Sequence, residues 1–161
     1  MSQEPLPTAL DVDQAQRLLT AGKLDDAQKL IETVLRDNPD DSNAQYTFAV
    51  IQRLNRSHAK ALETLDIVLQ QQPKLARAYQ EQALNQLSLN NPMPAGKALE
   101  IAVALDTALL KSWQLLVPLY KARASEKATE AQQQVDFLQT LPERNDNCSA
   151  LDNHAFGFLQ C

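Results

Sequence analysis

The sequence has few glycines, no excess of positive charge and no long apolar run, and each shortage excludes a class of function. The three glycines stand far apart, so they cannot form a glycine-rich loop that binds phosphate or a dinucleotide. The formal net charge of −5 gives no electrostatic attraction to nucleic acid or to an anionic membrane. No segment approaches the roughly 18 consecutive apolar residues of a membrane-spanning helix, so none is predicted.

Cysteine and histidine are also scarce and poorly placed for a disulfide framework or a metal site. Cys148 and Cys161 both lie near the C-terminus, and the first ten residues lack the apolar core of a secretory signal. This pattern favours a reducing, cytoplasmic location. His58 is predicted to face solvent at the start of a helix, far in sequence from His154 and the cysteines. We therefore expect neither a metal site nor a cofactor.

The sequence does contain an internal repeat of 34 residues. Small, apolar and proline residues recur at this interval in four series: Ala15, Ala49 and Ala83; Ala27, Ala61 and Ala95; Ile31, Leu65 and Leu99; Pro39 and Pro73. Within each interval the apolar residues are spaced by three and four, which predicts two amphipathic helices joined by a short turn. The expected fold class is all-α.

Four repeats are expected, at residues 8–41, 42–75, 76–109 and 110–142. An N-terminal arm of residues 1–7 precedes them, and an irregular tail of residues 143–161 follows. In the fourth repeat the pattern slips, because Thr129 stands where alanine is expected and Pro142 comes one residue late. Such a departure is typical of a terminal, capping helix.

Local signals predict how the helices begin and turn. Gly22 supplies the left-handed residue that commonly follows a helix, and in the second repeat Asn55 or Arg56 must take this conformation. Ser42 and Gln45 have the spacing of a capping box at the start of the third helix.

This pattern resembles the tetratricopeptide repeat (TPR) family over roughly residues 8 to 141. Trp113, Leu116 and Tyr120 fit the large apolar positions of the family's first helix, and the two alanine series fit its small positions. Gly22 fits the turn glycine, and the proline series fits the terminal proline. The resemblance implies a right-handed α-solenoid, in which the first helix of each repeat lines a concave face, and a non-catalytic role in binding other proteins.

The family geometry also implies which residues face the groove: Asn43, Tyr46, Val50, Arg53, Arg77, Gln80, Leu84, Lys111, Gln114 and Lys121. Four of these residues are basic, although the net charge is negative, and arginine can hold a carboxylate with two hydrogen bonds. The expected partner is therefore a protein or peptide segment with acidic groups. Glu81 lies nearby and is expected to neutralise part of this basic patch.

Two alternatives to a complete peptide-binding scaffold are open. Residues 104–106, 111–114, 137–138 and 141–142 resemble the N-terminal repeat region of bacterial proteins that join TPRs to a sulfotransferase domain. The chain lacks a phosphosulfate-binding loop, so in this alternative it is the accessory repeat region without the enzyme. The second alternative is self-association through the C-terminal end, where Phe156 and Phe158 supply apolar side chains.

Overall fold

The computed structural model describes residues 7–123 and 125–142, and these residues form eight α-helices and no strand. The helices are α1 (Pro7–Thr20), α2 (Leu24–Asp37), α3 (Ser42–Leu54), α4 (His58–Gln71), α5 (Ala76–Ser88), α6 (Pro92–Leu105), α7 (Leu110–Ala122) and α8 (Lys127–Thr140). The predicted all-α class is confirmed. Within this part of the chain, no helix has both the length and the apolarity needed to cross a bilayer.

The chain divides into two compact units. The N-terminal unit contains residues 7–74 and 81–95, and the C-terminal unit contains residues 75–80, 96–123 and 125–142. In the N-terminal unit α1 packs against α2 and α3, and α3 packs against α4. In the C-terminal unit α7 packs against α8. Helices α5 and α6 each contribute residues to both units.

The core of the N-terminal unit is built from the predicted apolar series. Ile31 and Leu65 are completely buried, and Ala27 and Ala61 are buried beside them on the second helix of each hairpin. The small alanine side chains let neighbouring helices approach, while each buried aliphatic side chain contributes roughly 1.5–3 kcal/mol. The repeat pattern is thus the pattern of core positions.

Three helix-connecting turns contain a residue in the left-handed region. Gly22 has a φ of 74° in the first turn, and Arg56 and Asn90 have a φ of 60° in the second and third. Of the two alternatives for the second turn, the structure therefore has Arg56, while Asn55 precedes it with a φ of −80°. A non-glycine residue in this conformation costs free energy, which the packed helices on either side must offset.

The start of α3 differs from the predicted capping box. Asp41 is the N-cap residue, and its Oδ1 accepts hydrogen bonds from the backbone N–H groups of Asn43 and Ala44, both at 3.0 Å. Ser42 is already helical, and Gln45 Nε2 donates to the backbone oxygen of Pro39 at 2.7 Å. A carboxylate cap both satisfies free N–H groups and complements the helix dipole, so Asp41 serves better than the predicted serine.

In the C-terminal unit, α8 is out of register with the other second helices. Its buried residues, Ala131 and Val135, correspond to Ala27 and Ile31 of α2. A strict repeat of 34 residues would place both of them two positions earlier in the chain. Thr129, the position predicted from strict periodicity, is exposed. The slip is therefore larger than the single residue that Pro142 suggests. Part of it arises in the connection from α7 to α8, which is one residue longer than the other three hairpin turns.

Candidate protein-binding surfaces

In the N-terminal unit, four of the predicted groove residues lie on one face of α3. Asn43, Tyr46, Val50 and Arg53 are spaced by three and four residues, and all four are half-buried. Leu84 on α5 is half-buried as well. We call these five residues the N-terminal surface.

The N-terminal surface is supported by direct packing between first helices. Helix α1 packs against α3, and Gln16 Nε2 donates a hydrogen bond to Thr47 Oγ1 at 3.3 Å. Thr47 is buried, and its hydroxyl also donates to the backbone oxygen of Asn43 at 2.9 Å. Successive first helices are therefore neighbours, as a binding surface along them requires.

Arg53 is engaged inside the protein. Its Nε lies 2.6 Å from Glu81 Oε2 and its Nη2 lies 3.5 Å from Glu81 Oε1, so the guanidinium spans both carboxylate oxygens. Only 25% of the Arg53 side chain and 9% of the Glu81 side chain are exposed. The prediction that Glu81 neutralises part of the basic patch is confirmed. Arg53 ties α3 to α5 and has little charge left for a ligand.

A buried polar network continues from Glu81. Asn85 is completely buried, its Nδ2 donates to the backbone oxygen of Glu81 at 2.8 Å, and its Oδ1 lies 3.0 Å from His58 Nδ1. Because Asn85 uses its oxygen here, His58 donates from Nδ1. The prediction that His58 faces solvent is wrong: the ring is half-buried and holds the start of α4 to α5. The sequence analysis did not identify Asn85 as a core residue. The signal for it is the spacing of seven residues between Asn85 and buried Ala78, which places both on the same face of α5.

In the C-terminal unit, the other five predicted residues lie on the start of α5 and on α7. They are Arg77, Gln80, Lys111, Gln114 and Lys121, and we call them the C-terminal surface. Completely buried Ser112 donates from Oγ to Gln80 Oε1 at 2.8 Å, which connects the N-terminal halves of these two helices.

The basic side chains of the C-terminal surface differ from Arg53. Lys111 and Lys121 are exposed and Arg77 is half-buried. Among residues 7–123 and 125–142, none of the three forms an ion pair with an acidic side chain. Three positive charges on this surface are therefore not neutralised by any acidic side chain that the structure describes.

Comparison with known proteins identifies the repeat. Residues 12–76 match the family model described as tetratricopeptide repeat. These residues contain tetratricopeptide repeats. The predicted TPR assignment is confirmed, whereas the narrower resemblance to the repeat region of sulfotransferase-containing proteins stays a prediction. No curated protein matches the sequence.

Solved TPR structures share the fold across most of the chain. A structure of MamA (41-end) from Desulfovibrio magneticus RS-1 is 23% identical, with a TM-score of 0.70, covering 82% of this chain and 75% of that one. TTC0263, a thermophilic TPR protein in Thermus thermophilus, is 20% identical, with a TM-score of 0.71, covering 89% of this chain and 79% of that one. At such identities the likeness establishes the fold alone.

Several sequence-based expectations concern residues that the structure does not describe. The predicted tail of residues 143–161 lies outside the described residues. With it lie both cysteines, His154, and the two phenylalanines considered for self-association.

Proposed function

We propose that this chain is a non-catalytic scaffold that binds protein segments, at the N-terminal surface of one unit and at the C-terminal surface of the other. TPR folds in general serve as protein-interaction scaffolds. The observation that carries the proposal is the direct packing of α1 on α3, since it makes the first helices of successive repeats neighbours. A segment crossing such helices can touch side chains from more than one repeat.

The N-terminal surface offers mixed apolar and polar contacts. Tyr46, Val50 and Leu84 are half-buried, so a bound segment would remove further apolar area from water. Their helices are held by Gln16 with Thr47 and by Arg53 with Glu81. Because these contacts fix the surface before binding, association loses little conformational entropy in the scaffold.

The C-terminal surface favours an acidic segment. Arg77, Lys111 and Lys121 carry positive charges that no described acidic side chain neutralises. Arginine can hold a carboxylate with a planar pair of hydrogen bonds, whereas the lysines supply point charges. Charge complementarity of this kind raises the association rate and excludes basic segments.

Site-specific photo-crosslinking tests where a partner binds. A photoreactive amino acid is placed at Val50 or at Gln114, and at two matched exposed positions on second helices, Glu63 of α4 and Lys97 of α6. Each full-length variant is irradiated in lysate of the source cells, and the products are identified by mass spectrometry. We expect specific protein products at Val50 and at Gln114 that are absent at the two control positions. Equal labelling at all four positions would show that the first-helix surfaces are not the binding site.

A further inference from the structure

The C-terminal unit contains a cavity whose lining includes none of the residues of the proposed protein-binding surfaces. It has a volume of about 460 Å³ and lies among residues of α6, α7 and α8. Small-molecule and cofactor pockets typically range from about 300 to 1,000 Å³, so this one is large enough for a small organic group.

The register of α8 decides which of its residues line this space. The buried aliphatic series Ile31, Leu65 and Leu99 continues, 34 residues later, at Gln133. Gln133 is exposed and lines the cavity instead of filling it, and small Ala131 lines it as well. In the slipped register of α8 the buried aliphatic residue of this series is Val135, so polar Gln133 is left at the wall of the cavity.

Two aromatic rings of α7 line the cavity in fixed orientations. Trp113 Nε1–H donates to the backbone oxygen of Thr107 at 2.9 Å, and the Tyr120 hydroxyl donates to Glu100 Oε1 at 2.9 Å. Burial, with the hydrogen bond to Glu100, raises the pKa of Tyr120 to about 12. The phenol thus stays protonated and anchored at neutral pH. The rings are in place before any ligand arrives.

The charged side chains that line the cavity favour a cation. They are the carboxylates of Glu100 and Glu130 and the ammonium group of Lys127, while Arg123, which also acts electrostatically on Tyr120, is not part of the lining. Aromatic faces attract organic cations through the ring quadrupole, and carboxylates attract them directly. We propose that this cavity binds an organic cation, an alkylammonium or alkylguanidinium group. The group belongs either to a small molecule or to a lysine or arginine side chain of a protein segment.

Trp113 is the single tryptophan of the chain, so its fluorescence reports on this cavity alone. The full chain is titrated with choline, with arginine amide and with 3,3-dimethylbutanol, the neutral isostere of choline, at constant ionic strength. We expect a saturable change in emission with at least one of the two cations and none with the neutral alcohol at the same concentrations. An equal response to the alcohol, or no saturable response to either cation, would overturn the proposal.

Charge variants give a test of opposite signs. Glu130→Gln should weaken cation binding by about two- to fivefold, and Lys127→Gln should tighten it by a similar factor. Glu130 and Lys127 are both exposed residues of α8, so neither change should disturb the fold, which circular dichroism checks. Glu63→Gln, on an exposed position of α4 in the other unit, is the matched control and should change nothing. Equal affinities in all four proteins would also overturn the proposal.

The source of the cation is decided by comparing ligands. If acetyl-Gly-Arg-Gly-amide binds more tightly than choline, the cavity is suited to a side chain of a protein segment. If choline binds more tightly, a small molecule is indicated. Both outcomes support a cation site, and neither depends on whether the first-helix surfaces bind a protein.

Discussion

Arg53 and Arg77 have different environments, and their removal is expected to have different effects. Arg53 spans both oxygens of the Glu81 carboxylate, and Glu81 is only 7% exposed. Arg77 forms no ion pair with a described acidic residue. Arg53→Ala should therefore destabilise the fold, whereas Arg77→Ala should chiefly affect binding.

The environment of the ion pair sets the size of this effect. Removing one partner of a fully buried ion pair costs roughly 3–5 kcal/mol, and exposed pairs contribute about 0.2–1 kcal/mol. Arg53 keeps a quarter of its side chain exposed while Glu81 is almost covered. We therefore expect Arg53→Ala to lower the free energy of unfolding by about 2 kcal/mol, and Arg77→Ala by about 0.5 kcal/mol or less. Urea unfolding followed by circular dichroism measures both.

A double variant separates loss of the ion pair from loss of packing. Arg53→Ala with Glu81→Gln should be more stable than Arg53→Ala alone, because the neutral amide is less costly to bury without a cation. If Arg53→Ala is no less stable than Arg77→Ala, the ion pair does not hold α3 to α5. The structural role assigned to Arg53 would then be wrong.

Three further predictions concern stability and titration. Because Gly22 and Arg56 both have positive φ, Gly22→Ala should lower the free energy of unfolding by about 1 kcal/mol and Arg56→Gly should raise it by about 0.5–1 kcal/mol. Shifts of the urea midpoint in opposite directions would confirm this prediction. Leu65→Ala removes a completely buried side chain and should cost about 2–5 kcal/mol, whereas Ile67→Ala, at 46% exposure, should cost less than about 1 kcal/mol in the same assay. Tyr120 should ionise near pH 12 by ultraviolet absorbance, above its ordinary value of 10.0. Because the pKa of Tyr120 is raised in the folded state, its contribution to stability is complete below pH 10 and is lost as the pH rises towards 12. The Tyr120→Phe variant should not show this loss. Ionisation of Tyr120 near pH 10 would contradict the buried hydrogen bond.

The helices could be predicted because their determinants are local and repeated. Apolar spacing within each interval places the core residues, and Gly22 marks a turn directly. The sequence pattern assigned the cap of α3 to Ser42 instead of Asp41, and it did not decide between Asn55 and Arg56. Several polar residues can satisfy a helix end or a turn, and the choice depends on backbone positions fixed by packing.

The candidate site was less predictable than the fold. Family geometry selected the faces of the first helices, but the partner of a side chain is set by contacts distant in sequence. The pairing of His58 with buried Asn85 spans 27 residues. The cavity beside Trp113 is lined in part by α8, whose two-residue slip strict periodicity does not predict.

The central claim is that protein segments bind the first-helix surfaces. Charge reversal in this chain, measured as a change in affinity for a partner recovered by crosslinking, tests it most directly. The affinity of the unmodified full chain for this partner is compared with that of two double variants. The first is Arg77→Glu/Lys111→Glu. The second, Lys60→Glu/Lys97→Glu, makes the same change in net charge at exposed positions of second helices. With helical content unchanged, we expect the first variant to bind about tenfold more weakly, roughly 1.4 kcal/mol, and the second to bind like the wild type. Equal affinities for both variants would contradict the account.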